Sequence, residues 1–268
     1  MTVIEPGRQD ACRLCGAPVS QRFQLTVLGR HDVQYLECTG CGSLQTEQPH
    51  WLDEAYGSNN LSSLDTGAAQ RNIHNLAACF VVSKLLALRN VIDIGGGDGL
   101  LCRLLRDYGI NCYIKDRYTT PTYAQGFTEQ DFERPDLVVG FEVLEHLSDP
   151  GKDLQAFFAD DPRALLLTTA AYSGQDRDWW YYSPESGQHV FFYSMKALEG
   201  IARKYNYRLV SSGGFLLFVK DISFLKGVIA RLLLSRIGCR LVRGLVVLLP
   251  APGAWNDHVL QRKGRHGA

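Results

Sequence analysis

Four cysteines near the start of the chain have the types and spacing of ligands for one metal ion. Cys12 and Cys15 form a Cys-x-x-Cys-Gly turn, and Cys38 and Cys41 form a second one. The alternating residues between the two pairs predict a hairpin that brings the turns together. Four thiolates at such turns are the tetrahedral ligand set of a structural Zn²⁺, which leaves no coordination position open for chemistry. The other cysteines lie in apolar runs without ligand spacing, and we expect them in the core: Cys79, Cys102, Cys112 and Cys239.

A second chemical signature is a glycine-rich stretch that begins after a short apolar run. Its acid and alternating glycines are Asp93, Gly95, Gly97 and Gly99. A strand, a glycine loop and a helix form the nucleotide-binding opening of a doubly wound sheet. A phosphate-binding loop would need Gly-Lys-Ser/Thr, which is absent, and a dinucleotide fingerprint would need glycine where Leu100 stands.

Two acids identify the ligand expected at this loop. Asp93 repels a pyrophosphate but suits a cation, and Asp116 ends the next predicted strand, 23 residues later. An acid at that second position accepts hydrogen bonds from ribose hydroxyls. S-adenosylmethionine carries an ammonium, a sulfonium and a ribose, so the two acids together predict this cofactor.

Candidate acid-base residues follow the fourth predicted strand, at 136–141. Ligands of such sheets bind beyond the carboxyl ends of the strands, where Glu142, Glu145 and His146 are expected. We interpret Glu142 as a contact to cofactor or substrate, with capping of the next turn as the alternative. Because the imidazole pKa lies close to working pH, His189 is the first candidate for a general base and His146 is the second. A purely structural histidine is the alternative for both.

A long aromatic segment follows the fifth predicted strand, at 164–169, and contains four aromatic residues in a row: Trp179, Trp180, Tyr181 and Tyr182. Long loops at the ligand edge of a sheet form lids or binding walls, and aromatic faces suit sugar rings, nucleobases and a sulfonium. The segment therefore predicts a substrate wall. The alternative is an apolar loop packed on the cysteine module.

The composition is that of a globular chain, with 268 residues, 46% of them hydrophobic and 21% charged. The 28 basic and 28 acidic residues balance, which disfavours nucleic acid as a partner. The first ten residues lack the pattern of a signal peptide, and no uncharged apolar run reaches the ~18 residues of a membrane span. We therefore expect a cytoplasmic protein with reduced thiols.

Periodicity and glycine spacing divide the chain into segments. Helical periodicity over 66–88 predicts a helix with Asp65 or Thr66 as its cap, before a first strand at 91–94. We expect a zinc module at 1–50, linking helices at 51–90, a cofactor-binding domain at 91–220, a basic amphipathic helical insertion at 221–254 and a final sheet strand at 255–263.

The segment 222–256 is basic and apolar. It contains no acid, and its basic residues are Lys226, Arg231, Arg236, Arg240 and Arg243. All of these except Arg231 share one side of a helical wheel and leave a broad apolar face, as in helices that lie on a membrane surface. Peripheral contact through 222–249 at the inner face of the membrane is one interpretation. A helical insertion that covers the sheet or makes a dimer contact is the other, and the oligomeric state stays open.

The stretches VIDIGGGDG and PDLVVGFEVLEHLSDP, with Asp116 between them, resemble those of class I S-adenosylmethionine-dependent methyltransferases. The resemblance covers about residues 60–215. It implies a Rossmann-like α/β fold with a seven-stranded sheet in the order 3-2-1-4-5-7-6, the last strand antiparallel. It also implies that Arg71, on the helix before the first strand, contacts the carboxylate of the cofactor, with a solvated arginine on a helix face as the alternative. The cysteine module resembles the zinc-bearing front of bacterial sugar and glycan methyltransferases.

The resemblance to zinc-bearing sugar C-methyltransferases also bears on the reaction. Their segment Tyr-His-Glu-His, followed by aromatic residues and serine, matches 186–194 here, with His189 on the last histidine and Ser186 in place of the tyrosine. Because of this departure we expect O-methylation of a hydroxyl on a sugar, nucleotide-sugar or nascent glycan. C-methylation of a keto-sugar, methylation of another small metabolite, and a cofactor-binding scaffold or partner protein without catalysis are the alternatives.

Overall fold

The computed structural model describes residues 11–57 and 66–266 of the chain, with side chains up to residue 262. The strands in these ranges are β1 Val19–Val27, β2 His31–Cys38, β3 Leu44–Thr46, β4 Asn90–Ile94, β5 Asn111–Lys115, β6 Leu137–Gly140, β7 Ala164–Thr168, β8 Phe191–Phe192, β9 Arg208–Ser212 and β10 Phe215–Val219. The α-helices are α1 Leu52–Gly57, α2 Ala68–Leu86, α3 Leu100–Asp107, α4 Pro150–Asp153, α5 Gln155–Phe158, α6 Met195–Lys204, α7 Phe224–Leu233, α8 Arg236–Val246 and α9 Pro252–His266.

The first of two compact units comprises residues 1–66, 142–156 and 169–206, as far as these are described. Its strands form one antiparallel sheet in the order β1-β2-β3-β8. β1 and β2 pair from Val19 with Cys38 to Val27 with His31, which confirms the hairpin predicted between the two cysteine pairs. The core of this unit includes the buried side chains of Val33, Tyr35, Leu44, Trp51 and Phe192.

The second unit comprises residues 67–141, 157–168 and 207–268, as far as these are described, and contains a mixed sheet. The strand order is β5-β4-β6-β7-β10-β9, with β5, β4, β6 and β7 parallel and β10 antiparallel to both of its neighbours. All residues of β6 and β10 are buried, which explains their uninterrupted apolar sequences. The sheet is Rossmann-like and has the order 2-1-4-5-7-6 of the predicted seven strands.

The strand predicted at the outer edge, beside β5, is not found in the described chain. Residues 116–136, where it would lie, form turns and bends. This stretch has no run of four apolar residues, and it contains Pro121 and Pro135, which cannot donate to a strand ladder. The described part of the sheet therefore has six strands and ends at β5.

The predicted final strand at 255–263 is wrong, because this segment lies within helix α9. The last strand of the sheet is β10, which forms a hairpin with β9 through Gly213 and Gly214. Both glycines have positive φ, 60° and 94°, the conformation that two-residue hairpin turns require. The segment 221–254 consequently follows the completed sheet and is not an insertion within it.

The start of helix α2 also differs from the prediction. Thr66 and Gly67 form a turn, so the helix begins at Ala68 with Gly67 as its N-cap residue, and Thr66 does not cap it. The alternative cap, Asp65, lies outside the described residues, as do the first ten residues of the predicted cysteine module and residues 58–65 of the linking segment.

Helices α7 and α8 pack against α2 with one face each. Ala230 is buried on the first helix and Leu234 directly after it, and Cys239 and Val246 are buried on the second helix. The predicted helical character of this segment is therefore confirmed, while its opposite face is open to solvent. Within the described residues, no helix combines the length and the apolarity needed to cross a bilayer.

Candidate functional site

The predicted cofactor loop lies between β4 and α3, in the second unit. Gly99 is the N-cap residue of α3 and has φ 80°, in the left-handed region that favours glycine. A Cβ on Gly99 would lie 2.8 Å from Ala124 Cβ, and a Cβ on Gly96 would lie 2.5 Å from Asp93 Oδ2. The glycines therefore let the loop turn sharply while its backbone closely approaches the acid at the end of β4.

Asp93 is buried, and its Oδ2 atom has no hydrogen-bond partner among the described residues. Burial, followed by the charge of Asp116, raises the pKa of Asp93 to about 7. A buried carboxylate oxygen without a donor carries a free-energy cost that a hydrogen-bonding cation would relieve. The site thus fits the ammonium group of the cofactor predicted from the sequence.

Asp116 fixes the same loop from the end of β5. Its Oδ2 accepts a hydrogen bond from the Gly97 amide at 2.9 Å, and its Oδ1 accepts from the amides of Tyr118 and Thr119 at 2.8 and 2.7 Å. Sequence reasoning missed this role in holding the loop. The ribose contact of Asp116 stays a prediction, as does the cofactor contact of Arg71, whose side chain is exposed near the start of α2.

The predicted acid-base residues lie in the first unit, where two segments meet. Leu144–His146 forms a 3₁₀ turn, and the backbone amide of Val190 donates to the Glu145 carbonyl at 2.8 Å. This hydrogen bond places His189 beside His146, with ring centroids 4.9 Å apart and ring planes nearly perpendicular. Glu142 has φ 54°, a left-handed conformation that non-glycine residues adopt mainly at constrained sites.

The imidazole of His189 has a defined tautomer. Its Nδ1 lies 2.6 Å from the carbonyl oxygen of Tyr181. Because a carbonyl only accepts, Nδ1 carries the proton and donates, and Nε2 is left with a lone pair. Burial lowers the pKa of His189, which favours the neutral form of the ring.

Glu145 lies next to the two histidines, and we define these three residues, Glu145, His146 and His189, as the histidine cluster. Glu145 is fully buried, and neither carboxylate oxygen has a hydrogen-bond partner among the described residues. Burial, followed by the charge of Glu142, raises the pKa of Glu145 to about 8. Burial, followed by the neighbouring His189, lowers the pKa of His146 to about 3.

The cluster also has the composition of a metal-binding site. One ligand atom from each of its three residues lies within 4.8 Å of the others, close enough for a single divalent cation. Two imidazoles and a carboxylate suit several transition metals. The sequence predicts Glu145 at the strand edge and assigns it no role. Its burial is not predicted, because it depends on residues far along the chain.

The four aromatic residues of the predicted substrate wall do not lie together on a surface. Tyr181 and Tyr182 are 2% and 1% exposed and belong to the core of the first unit, where Tyr182 packs against Phe23 and Tyr35 of the hairpin. For these two tyrosines the expectation of a wall is corrected, because the apolar loop packs on the cysteine module as in the alternative interpretation. Trp179 is half-buried beside them, and Trp180 is 78% exposed.

The four predicted zinc ligands converge at one end of the hairpin. The sulfurs of Cys12 and Cys41 are 3.8 Å apart, and those of Cys15 and Cys38 are 3.5 Å apart. All four lie within 4.8 Å of one another, and a tetrahedral zinc with Zn–S bonds of ~2.3 Å separates its sulfurs by ~3.8 Å. The hydrogen bond from Cys12 lowers the pKa of the Cys41 thiol.

Comparison with known proteins agrees with the cofactor loop. A family model described as a methyltransferase domain matches residues 64–212, more than half of the chain. The chain belongs to this family. It is a methyltransferase. Comparison with curated protein sequences gives no significant match.

Solved structures similar to this chain include several methyltransferases. Magnesium protoporphyrin IX methyltransferase of Synechocystis PCC 6803 is 16% identical over 57% of this chain and 87% of that chain, with a TM-score of 0.40. An O-methyltransferase family protein from Burkholderia thailandensis is 15% identical over 57% of this chain and 55% of that chain, with a TM-score of 0.43. Human N-acetylserotonin methyltransferase is 14% identical over 57% of this chain and 51% of that chain, with a TM-score of 0.39.

Proposed function

We propose that the protein transfers the methyl group of S-adenosylmethionine to a hydroxyl of a sugar, nucleotide-sugar or nascent glycan, with His189 as general base. The observation that carries this proposal is the fixed tautomer of His189, whose Nδ1 donates to the Tyr181 carbonyl and leaves Nε2 to accept a proton. A hydroxyl is a poor nucleophile, so it needs a group of this kind when it attacks. The exposed Trp180 offers an aromatic face for a sugar ring.

The residues have separate tasks in this reaction. When bound, the cofactor supplies an electrophilic methyl carbon on a positively charged sulfur. Asp93 would hold its ammonium group through Oδ2, and Asp116 would hold its ribose beside the loop. His189 Nε2 would take the proton of the acceptor hydroxyl. Transfer would convert the bound cofactor to S-adenosylhomocysteine and the acceptor hydroxyl to its methyl ether.

The neighbours of His189 favour a neutral base. With a raised pKa Glu145 is largely protonated at pH 7, and with a lowered pKa His146 is unprotonated. The second histidine is therefore less suited to take the proton, which supports His189 as the first candidate. Once His189 is protonated, its charge favours ionisation of Glu145, and the pair then balances in charge.

Transfer of labelled methyl groups from S-adenosylmethionine tests the reaction. Extracts containing sugars, nucleotide-sugars and lipid-linked glycans are incubated with the full chain, and the products are separated and their new methyl groups located by NMR. We expect methyl on oxygen of a sugar in the aqueous or the lipid-linked fraction. Methyl on carbon, or on a metabolite without a sugar, would contradict the proposal.

Chelation tests the role of His189 as a base. If His189 acts as a base, EDTA treatment that leaves metal on the four cysteines should not change the rate of methyl transfer. Activity that stops in EDTA and returns with an added divalent metal would show instead that Glu145, His146 and His189 act by holding a cation.

We propose further that Cys12, Cys15, Cys38 and Cys41 bind a structural Zn²⁺. The mutual distances of their sulfurs support this assignment. Metal analysis of the purified chain should find one zinc per molecule, and Cys15→Ser should lose it and lower the thermal stability. Cys239→Ser, which changes a cysteine outside the cluster, is the matched control and should keep the metal. A full complement of zinc in Cys15→Ser would refute the assignment.

A further inference from the structure

Helices α7 and α8 carry a row of apolar side chains on their outer faces. We call these residues the outer apolar stripe, and its members are exposed by 40% or more: Phe224, Leu225, Val228 and Leu232 on α7, Ile237, Leu241 and Leu245 on α8, and Leu248 just after α8. Phe224 and Leu248 are the most exposed, at 84% and 80%. Single exposed apolar residues are normal on soluble proteins, but a set of this size on two successive helices is typical of an interaction surface.

The stripe is separate from the faces that stabilise the fold. On α8, Ile237, Leu241 and Leu245 recur at four-residue intervals on one side, and Cys239 and Val246 are buried on the other. The Cys239 sulfur lies 3.5 Å from His74 Nδ1 on α2, which shows which side of the helix packs inward. The inward face already supplies the packing of α8, so the outer leucines are not needed to hold the helix in place.

Basic residues flank the stripe on the same helices. Arg236 and Arg240 are exposed, and at 100° per residue both lie on one side of α8 between its inward and outward faces. Lys226 and Arg231 add two exposed basic side chains on α7. The sequence 222–256 contains no acid, although the chain as a whole carries equal numbers of basic and acidic residues.

This combination selects among the surfaces that could cover the stripe. An apolar face bordered by arginine and lysine matches the boundary between anionic headgroups and acyl chains, where the apolar side chains enter and the basic groups reach phosphate oxygens. We infer that α7 and α8 form a binding surface for a bilayer that contains anionic lipid, with both helices lying in the plane of the interface. The inference does not depend on the acceptor proposed above.

Co-sedimentation of the full chain with vesicles tests the inference without cofactor or acceptor. Vesicles of phosphatidylglycerol and phosphatidylcholine are compared with vesicles of phosphatidylcholine alone. We expect the protein to bind the anionic vesicles at least tenfold more tightly, and we expect the binding to weaken with added salt. Because each arginine near the membrane surface contributes on the order of a fivefold change in affinity, Arg236→Gln with Arg240→Gln should weaken binding roughly 25-fold.

Exposed leucines provide variants that leave the fold intact. Leu241→Glu removes an outward side chain that is 67% exposed and should lower vesicle binding at least tenfold. Leu260→Glu on α9 changes an equally apolar residue, 54% exposed and outside the stripe, and should bind as the unchanged protein does. Thermal melting confirms that both variants are folded.

Three outcomes would overturn the inference. The unchanged protein could fail to bind anionic vesicles, or it could bind anionic and neutral vesicles equally. Leu241→Glu could also retain full vesicle binding. Sedimentation that shows a dimer broken by Leu241→Glu, without vesicle binding, would identify the stripe as an interface between two copies.

Discussion

The ion pair between Asp257 and Arg106 gives a prediction whose size follows from the structure. The Asp257 carboxylate accepts from Arg106 Nε and Nη2, both at 2.7 Å, and from Arg103 Nη2 at 2.5 Å. Asp257 and Arg106 are 8% and 9% exposed, so Asp257→Asn leaves a buried guanidinium without its carboxylate. Breaking a buried pair on one side costs ~3–5 kcal/mol.

The remaining partners of Arg106 place the expected loss at the lower end of this range. Arg106 keeps hydrogen bonds to Asn111 Oδ1 and the Cys112 carbonyl, both at 3.0 Å. We therefore expect Asp257→Asn to destabilise the second unit by ~3 kcal/mol, a fall in melting temperature of ~6–12 °C for a chain of this size. Asp107→Asn is the matched control, since Asp107 also pairs with Arg103 but is more exposed than Asp257, and it should cost less than ~1 kcal/mol.

The loss in Asp257→Asn should also depend on pH. Burial acts to raise the pKa of Asp257, but the hydrogen bonds from Arg106 and Arg103 outweigh it and lower the pKa below 3.8. A lowered native pKa contributes stability that is complete above the ordinary pKa and disappears as the pH falls through the native value. Melting curves of the two proteins should therefore converge in acid. Equal melting temperatures of Asp257→Asn and Asp107→Asn at pH 7 would refute this reasoning.

Two further predictions concern the cofactor loop. Because the pKa of Asp93 is raised to about 7, S-adenosylhomocysteine should bind more tightly in calorimetry as the pH rises from 5.5 to 7.5. Asp93→Asn should bind it about tenfold more weakly, with an affinity that does not change with pH. The control, Asp98→Asn on the exposed side of the loop, should behave as the unchanged protein. A pH-dependent affinity in Asp93→Asn would contradict this. Gly99→Ala should lower the free energy of unfolding in urea titrations by at least ~1–2 kcal/mol, because alanine is strained at φ 80° and its Cβ would lie 2.8 Å from Ala124 Cβ. The control is Gly200→Ala in helix α6, where a Cβ meets open space, and it should be neutral or stabilising.

The parts of the molecule that the sequence predicts well are those with local signals. The spacing of Asp93 and the glycines after it predicts a tight turn at the end of a strand, and the structure confirms this turn. The clustering of the four cysteines is predicted for the same reason, since each Cys-x-x-Cys turn brings its own two sulfurs together. The alternation between the pairs then sets the hairpin that brings the two turns together.

The features that the sequence does not predict depend on contacts between distant residues. The segment from Trp255 onwards is short and mixed in pattern, and it is held in helix α9 by the pairing of Asp257 with Arg106, 151 positions earlier. Only the Gly213-Gly214 turn, a local hairpin signal, could have shown that the sheet ends before this segment.

Burial in the aromatic segment likewise depends on distant strands. Tyr182 and Trp180 are two residues apart in one aromatic run, yet the first is 1% exposed and the second 78%. The difference arises because Tyr182 packs against Phe23 and Tyr35 of the hairpin. Glu145 shows the same limit, since a carboxylate at a strand edge is ordinarily solvated and this one is fully buried.

The single-turnover rate of methyl transfer in His189→Ala tests the central claim most directly. A general base contributes ~10²–10⁴-fold, so the rate at saturating cofactor should fall by at least ~100-fold. His50→Ala, an exposed histidine of the same unit, should keep the full rate. Unchanged melting and cofactor binding show that His189→Ala is folded. A rate within threefold of the unchanged enzyme would contradict the assignment of His189 as the base.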